Sequence, residues 1–260
     1  MHTVIVPLDF SHASFNAAHY AAAMFKGHAN ARLILYHYYE DGDDTTVSAK
    51  FLNSLKEELI AHVNNVETEL ESGDGFIESL AKFAHVKGAY MIVMGLTGKT
   101  PLAQRFSGSN TLEMAEKEVC PVLIVPDGVT YKGLNNALIT SEMKDVEDTP
   151  CLLAVKEILK EFKPALHVLN VNSEHYISLT PEVKAERDKL EMLLAEFKPE
   201  FYFMRWYDFH ESVDAFTKDK NIDLIIIGPK HHSFFEKLFK TQHTKKLIYH
   251  SSVPVLAVQE

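Results

Sequence analysis

The chain has 260 residues, of which 46% are hydrophobic and 24% are charged, a composition typical of globular protein with a sizeable core. This excludes collagen, a coiled coil or general disorder as a description of the whole chain. The 36 acidic and 26 basic residues give a net charge of −10, which argues against coating nucleic acid or an anionic membrane.

The first half of the chain alternates short apolar runs with segments of helical periodicity. In chain order, the predicted elements are a strand over 3–8, a helix from the N-cap Ser11 to about Lys26, a strand over 32–39, a helix with Phe51, Leu55, Leu59 and Val63 on one face, a half-buried edge strand over 66–71, a helix over 76–86, a strand over 91–94, a helix over about 110–117 and a strand over 122–125. Each of the first four strands is thus followed by a helix.

The second half repeats the first. Residues 90–125 align without a gap on residues 223–258, an offset of 133, so that Cys120-Pro-Val-Leu-Ile-Val125 lies over Val253-Pro-Val-Leu-Ala-Val258. The same offset places the second set of strands over 137–140, 165–171, 200–205, 224–227 and 255–258. We therefore predict two copies of one domain, over 1–128 and 133–260, separated by a stretch rich in turn residues.

Strands that alternate with helices imply right-handed crossovers and a parallel sheet. We expect an α/β fold with two tandem Rossmann-like domains, each a five-stranded, mostly parallel sheet with helices on both faces. In such sheets ligands bind beyond the carboxyl ends of the strands, where the strand order reverses. The loops that follow Pro7, Tyr38 and Gly95 are therefore the places to expect a site.

The loop after the fourth strand has the spacing of a phosphate cradle. It places Gly95, Gly98, Gly108 and Ser109 in a Gly-x2-Gly-x9-Gly-Ser pattern. Glycines allow the backbone to approach a ligand closely. A helix opening near Thr111 would present free N–H groups and its positive dipole end to a phosphate. The pattern therefore predicts a triphosphate-binding loop.

The first copy opens with Val4-Ile-Val-Pro-Leu-Asp9-Phe-Ser11 and closes with Cys120-Pro-Val-Leu-Ile-Val125. Together with the glycine pattern, these segments resemble the universal stress protein family in its tandem two-domain form, over essentially the whole chain. The resemblance implies a fold of the adenine nucleotide alpha hydrolase type. It implies ATP as the ligand, with any Mg2+ held by the phosphates, and a regulatory or stress-response role. It also implies that the last strands of the two copies pair as a pseudo-dimer, or that the protein forms a homodimer.

The resemblance assigns nucleotide binding to one set of residues in the first copy. Asp9 would hydrogen bond to adenine, with Pro7 and Leu8 beside the base. Tyr38 would close the nucleoside pocket, and the glycine loop would hold the phosphates. Taken alone, Asp9 could equally be a cap or turn residue, and Tyr38 a wall of the core. The predicted site residues are Pro7, Leu8, Asp9, Tyr38, Met94, Gly95, Gly98, Gly108, Ser109, Asn110 and Thr111. Asn110 departs from the valine that family members often carry after the Gly-Ser pair.

The second copy has lost most of this pattern. At the same offset, the replacements are Gly98 by His231, Gly108 by Thr241, Ser109 by Gln242, Asp9 by Glu142 and Pro7 by Thr140. Side chains now stand where a backbone would need to approach a ligand. We predict that the second copy does not bind ATP in the family's way, and we expect no metal site in either copy.

Three kinds of function stay open at this point: a nucleotide-binding regulatory module, a slow ATPase or phosphotransferase, and a ligand-free scaffold or sensor of another small molecule. No convincing base or metal carboxylate accompanies the glycine loop, so we expect no enzyme, or at most slow ATP hydrolysis. For the third kind, another pocket could be lined by Tyr36, His37 and Tyr39 near the second strand, or by residues 206–208, although packing in the core and at its rim explains these aromatic residues at least as well. We expect a cytoplasmic protein that binds neither nucleic acid nor membrane, with Cys120 and Cys151 buried and reduced.

Overall fold

The structure is a computed structural model, and it describes residues 1–73, 75–96, 110–147, 150–172, 179–205, 208–227 and 242–258. The chain divides into two compact units, Met1–Lys132 and Gly133–Glu260. Each unit is an α/β domain built on a five-stranded sheet, and the strand pairings described within each unit are parallel. The predicted fold class is confirmed.

The first unit follows the predicted alternation of strand and helix. Its elements are β1 (His2–Pro7), α1 (His12–Met24), β2 (Ala31–Tyr38), α2 (Thr46–Leu59), β3 (Val66–Glu71), α3 (Phe76–Lys87), β4 (Ala89–Leu96), α4 (110–115) and β5 (Val122–Pro126). The strand order is β3-β2-β1-β4-β5. The chain therefore winds outward from β1 to β3 and then crosses back to β4, so the order reverses between β1 and β4.

The core of the first unit lies on both faces of its sheet. Val4, Ile5 and Val6 of β1 are each at most 1% exposed. Because successive strand residues point to opposite faces, three buried residues in a row show that both faces are covered. Helix α1 contacts β1, β2, β4 and β5, and α3 contacts β1 and β4.

The helices begin and end close to the predicted positions. Ser11 is the N-cap of α1, as predicted, and its hydroxyl accepts a hydrogen bond from the Ser14 N–H at 3.2 Å. The predicted face of α2 is wrong in part. Leu55 and Leu59 are buried, but the third buried residue is Leu52, whereas Phe51 is 51% exposed. Phe51 instead packs against the ring of Phe10, at 5.5 Å between ring centroids, which is why an aromatic residue occupies this exposed position.

The second unit has the same arrangement. Its elements are β6 (Asn136–Thr140), α5 (Pro150–Phe162), β7 (Ala165–Asn172), α6 (Pro181–Leu193), a short 3-10 helix (Ala195–Phe197), β8 (Glu200–Arg205), α7 (Phe209–Asp219), β9 (Leu224–Ile227), α8 (Gln242–His250) and β10 (Val255–Ala257). The strand order is β10-β9-β6-β7-β8. Within the part of the chain described, no helix is both long enough and apolar enough to cross a lipid bilayer.

Neither of the two cysteines forms a disulfide bond. Cys151 is buried, as predicted, but Cys120 is only half-buried, because it lies in the bend before β5 and not in the strand itself. Burial of the thiol nevertheless raises the pKa of Cys120 to about 12, against the lowering effect of a backbone hydrogen bond from Ile92. Thiolate is therefore scarce at neutral pH, and the thiol is a poor nucleophile.

We expect Cys120 of the native protein to resist iodoacetamide between pH 7 and pH 9 and to react fully once the protein is unfolded in urea. Because the raised pKa keeps the thiol protonated across this range, its reactivity should not rise as the pH passes the usual value near 8.5. Peptide mass spectrometry of the alkylated protein identifies the labelled cysteine, and a Cys120→Ala variant confirms the assignment. Rapid labelling of Cys120 in the native protein at pH 7 would contradict the prediction.

Candidate nucleotide site

A cavity of about 260 Å3 lies at the carboxyl edge of the sheet in the first unit, between the ends of β1, β2 and β4. This is where the strand order reverses, the expected place for a ligand in a doubly wound sheet. The described lining consists of Pro7, Leu8, Asp9, Ser11, Ala13, Ser14, His37, Tyr38, Phe76, Met94, Gly95, Asn110 and Thr111. Eight of the eleven predicted site residues are in this set. Gly98, Gly108 and Ser109 lie outside the described residues.

Asp9 stands just past the end of β1, and its side chain is tied to the start of α1. The Oδ1 atom accepts hydrogen bonds from the backbone N–H of Ser11 at 3.0 Å and from its hydroxyl at 2.6 Å. Burial raises the pKa of Asp9, but the hydrogen bonds from Ser11 and Ser14 outweigh it and leave the pKa below its ordinary value. The carboxylate is therefore ionised at neutral pH, and both hydrogen bonds from Ser11 go to Oδ1 and not to Oδ2.

Tyr38 ends β2 and forms a wall of the cavity. Its hydroxyl donates to the carbonyl oxygen of Gly73 at 2.6 Å, and its ring lies 6.2 Å from that of Phe76. Phe76 begins α3 and was not among the predicted site residues. Only the tertiary fold brings the start of α3 to the end of β2, so the sequence held no sign of this contact.

His37 is a second lining residue that lay outside the predicted set. Its Nδ1 lies 2.7 Å from the carbonyl oxygen of Leu8. A carbonyl oxygen can only accept, so Nδ1 is the donor. The position of His37, directly before Tyr38 at a strand end, was the signal in the sequence that could have included it.

Gly95 is required by packing, whatever ligand the cavity holds. A Cβ at this position would lie 2.2 Å from the carbonyl oxygen of Ala13 and 3.0 Å from the backbone nitrogen of Ser14. There are therefore two reasons for a glycine at this position. The first is the expected approach of a ligand, and the second is the close contact of β4 with the first turn of α1. Thr111, 1% exposed, reinforces this region, since its hydroxyl donates to the carbonyl oxygen of Gly95 at 3.3 Å.

A larger and more open cavity, of about 660 Å3, adjoins the first and shares His37, Tyr38 and Phe76 with it. Tyr39 and the acidic residues Glu40, Asp43 and Asp44 also line it. Of the aromatic residues considered for a separate pocket, His37 and Tyr39 are therefore at a cavity, whereas Tyr36 is fully buried in the core. In the second unit Trp206 and Tyr207 lie outside the described residues, and Asp208 is the N-cap of α7.

The second unit keeps the backbone path of the loop after its first strand. Met143, at the position equivalent to Phe10, has a φ of 55°, and Phe10 itself has a φ of 60°. The Nδ2 of Asn170, which corresponds to His37, donates to the carbonyl oxygen of Ser141 at 2.8 Å. Ser141 corresponds to Leu8. The same hydrogen bond thus holds the same turn in both units, although the side chains at the Pro7 and Asp9 positions differ.

Comparison with known proteins agrees with this geometry. The sequence model of the universal stress protein family matches residues 1–126 and 152–259. The two matches cover most of the chain, one in each unit, so the chain belongs to the universal stress protein family in its tandem form. A search of curated proteins gave no match.

Two solved structures share the fold over nearly the full length. A universal stress protein from Archaeoglobus fulgidus DSM 4304 superposes with a TM-score of 0.71 at 17% identity, covering 98% of this chain and 94% of that one. A functionally unknown protein from Pseudomonas aeruginosa PAO1 gives a TM-score of 0.69 at 15% identity, covering 100% of this chain and 92% of the other. At these identities the likeness concerns the fold alone.

Proposed function

We propose that the first unit binds an adenine nucleotide, ATP, with its base and sugar in the 260 Å3 cavity, and that the protein uses this binding in a regulatory or stress-response role. One observation carries the proposal. Residues from four separate segments, ending β1, β2 and β4 and forming the described start of α4, converge on a single cavity. The resemblance of the sequence to the family assigns these strand ends and this helix start to nucleotide binding.

The cavity suits a base and its sugar. Ligand pockets commonly have volumes of roughly 300–1,000 Å3, so about 260 Å3 is too small for a whole triphosphate. Leu8, Met94 and the ring of Tyr38 offer apolar surface to a flat base, and Oδ2 of Asp9 offers an acceptor to the amino group of adenine. The phosphates would extend beside α4, with any Mg2+ held by the phosphates themselves.

Binding without efficient hydrolysis fits the described lining better than catalysis. Asp9 is the one carboxylate among the described lining residues, and its lowered pKa makes it a weak general base. In the described part of the chain, no group of three histidine, cysteine or acidic residues is placed to hold a metal ion. We propose a nucleotide-binding module whose hydrolysis of ATP, if measurable, is slow.

We propose further that the second unit does not bind ATP in this way and acts as a structural partner or an interaction surface. Thr140 and Glu142 occupy the positions of Pro7 and Asp9 there, and the glycine pattern is replaced. The pairing of the last strands of the two copies, or of two chains, belongs to the same proposal.

Calorimetric titration of ATP into the protein tests the site, with a pair of adjacent tyrosines as probe and control. Tyr38 lines the 260 Å3 cavity, whereas Tyr39 lines only the larger one. We expect Tyr38→Ala to weaken ATP binding about tenfold, ~1.4 kcal/mol, because an aromatic wall is lost. Tyr39→Ala should leave the affinity within about twofold of the wild-type value.

Equal affinities of the wild-type protein and Tyr38→Ala would place the ligand elsewhere, and the absence of ATP binding to the wild-type protein would refute the proposal. Release of phosphate over several hours, followed in parallel, separates binding from hydrolysis. Turnover of one or more ATP molecules per second would favour an ATPase over a binding module.

A further inference from the structure

We infer that His37 is a positioning residue that sets the orientation of Asp9 by holding the residues on either side of it. The Nδ1–H of His37 donates to the carbonyl oxygen of Leu8 at 2.7 Å. The imidazole ring lies 4.4 Å from the ring of Phe10, centroid to centroid. One side chain thus contacts the residue before Asp9 and the residue after it.

The turn around Asp9 needs such support. Phe10 has a φ of 60°, a left-handed conformation that is costly for a bulky residue and persists only where its surroundings hold it. Before Asp9, the hydrogen bonds between β1 and β2 end with the N–H of Leu8, which donates to the carbonyl oxygen of Tyr36 at 2.8 Å. Downstream, Ser11 binds Oδ1 of Asp9. Between these two points the described contacts of the turn come from His37 and, through the ring of Phe10, from Phe15 and Phe51.

In the second unit, only one of the two contacts that His37 makes has an equivalent. Asn170 makes the hydrogen bond to the strand-end carbonyl, at 2.8 Å, but an amide has no ring to stack. The turn there still takes a φ of 55° at Met143. The turn of the second unit therefore forms without such a ring, although the hydroxyl of Ser141 also accepts there from the N–H of Met143 at 3.1 Å. The bond to the strand-end carbonyl is the contact that both units share, and it is the one that a replacement of His37 must keep.

This comparison supplies matched variants. His37→Asn can preserve the bond to the carbonyl oxygen of Leu8, as Asn170 does with Ser141, whereas His37→Leu cannot donate at all. The inference rests on the proposed function for its effect on ATP. We expect His37→Leu to weaken ATP binding about tenfold and His37→Asn to bind within about threefold of the wild-type protein. His62→Leu, at an exposed histidine after α2, controls for the change of residue type.

Amide hydrogen exchange provides a readout that does not need the nucleotide. In the absence of ATP, the N–H of Ser11, which donates to Oδ1 of Asp9, should exchange at least tenfold faster in His37→Leu than in the wild-type protein, and less than threefold faster in His37→Asn. The urea midpoints of the two variants, measured in parallel, show whether faster exchange or weaker ATP binding results from a loss of global stability.

The inference is overturned if exchange of the Ser11 N–H is the same in His37→Leu and the wild-type protein, or if both variants weaken ATP binding equally. The first result would mean that His37 does not hold the turn. The second would mean that the ring itself contacts the ligand. If the wild-type protein binds no ATP, the proposed function fails, and the exchange rates alone then decide whether His37 holds the turn.

Discussion

Replacing Gly95 by alanine is expected to destabilise the first unit by about 3 kcal/mol or more, at or above the upper end of the usual cost of overpacking. The new Cβ would lie 2.2 Å from the carbonyl oxygen of Ala13 and 2.4 Å from its carbonyl carbon. Both are backbone atoms at the start of α1, so no side-chain rotation can relieve the contact. Helix α1 would have to move away from β4, which it packs against. In urea unfolding, the midpoint should fall while the slope stays unchanged.

Gly128→Ala is the matched control. A Cβ at Gly128 would have no atom within 4 Å, and the only penalty comes from a φ of +75°, about 1–2 kcal/mol. If Gly95→Ala lowered the free energy of unfolding no more than Gly128→Ala does, the contact with α1 would not be the cause of the destabilisation. If Gly95→Ala stayed folded and lost ATP binding only, ligand approach would be the dominant role of this glycine.

The packing role of Gly95 explains a detail of the repeat. The offset of 133 places Gly228 opposite Gly95, while the next two glycines of the pattern are replaced by His231 and Thr241. A glycine that packing requires would be kept in both copies, whereas glycines that serve only a ligand could be lost from the copy that we propose does not bind ATP. Sequence alone could not separate these two roles, because both require a glycine at the same position.

The central strands could be predicted because they are buried apolar runs, and the less buried edge strands because of their alternating pattern or their place in the repeat. The edge strand over 66–71 and the strand over 200–205 have the predicted bounds. The face of α2 could not be predicted as reliably, since Phe51 and Leu52 both fit a helical stripe until the position of Phe10 is known. Its burial pattern depends on a tertiary contact with a turn 41 residues earlier in the chain.

The location of the cavity could also be predicted, because parallel strands end at a common edge. The hydrogen bonds within it could not. The sequence leaves Asp9 open as a ligand group or as a cap or turn residue, and in the structure its Oδ1 accepts both hydrogen bonds from Ser11. The turn interpretation therefore holds for Oδ1, and the ligand role of the carboxylate stays a prediction. Establishing the turn interpretation required the conformation of the turn, which a left-handed Phe10 makes unusual.

Because Ser11 binds Oδ1 of Asp9 and not Oδ2, the substitution Asp9→Asn is expected to have the second large effect, which is a change in the base that the site prefers. In Asp9→Asn, the amide oxygen can still accept from the N–H and hydroxyl of Ser11, so the turn is kept. The amide nitrogen then replaces Oδ2 and offers a donor where the carboxylate offered an acceptor. An amino group on the base, as in adenine, would lose its partner, whereas the carbonyl of inosine would gain one.

We therefore expect Asp9→Asn to weaken ATP binding at least tenfold, since hydrogen bonds to charged groups contribute about 1.5–3 kcal/mol. Binding of inosine triphosphate should fall less or rise, so the ratio of the two affinities should drop at least tenfold. Calorimetry with both nucleotides measures this ratio, and Asp41→Asn, at an exposed position outside both cavities, is the control for loss of charge. An equal loss for both nucleotides would show that Asp9 acts through the turn and not on the base.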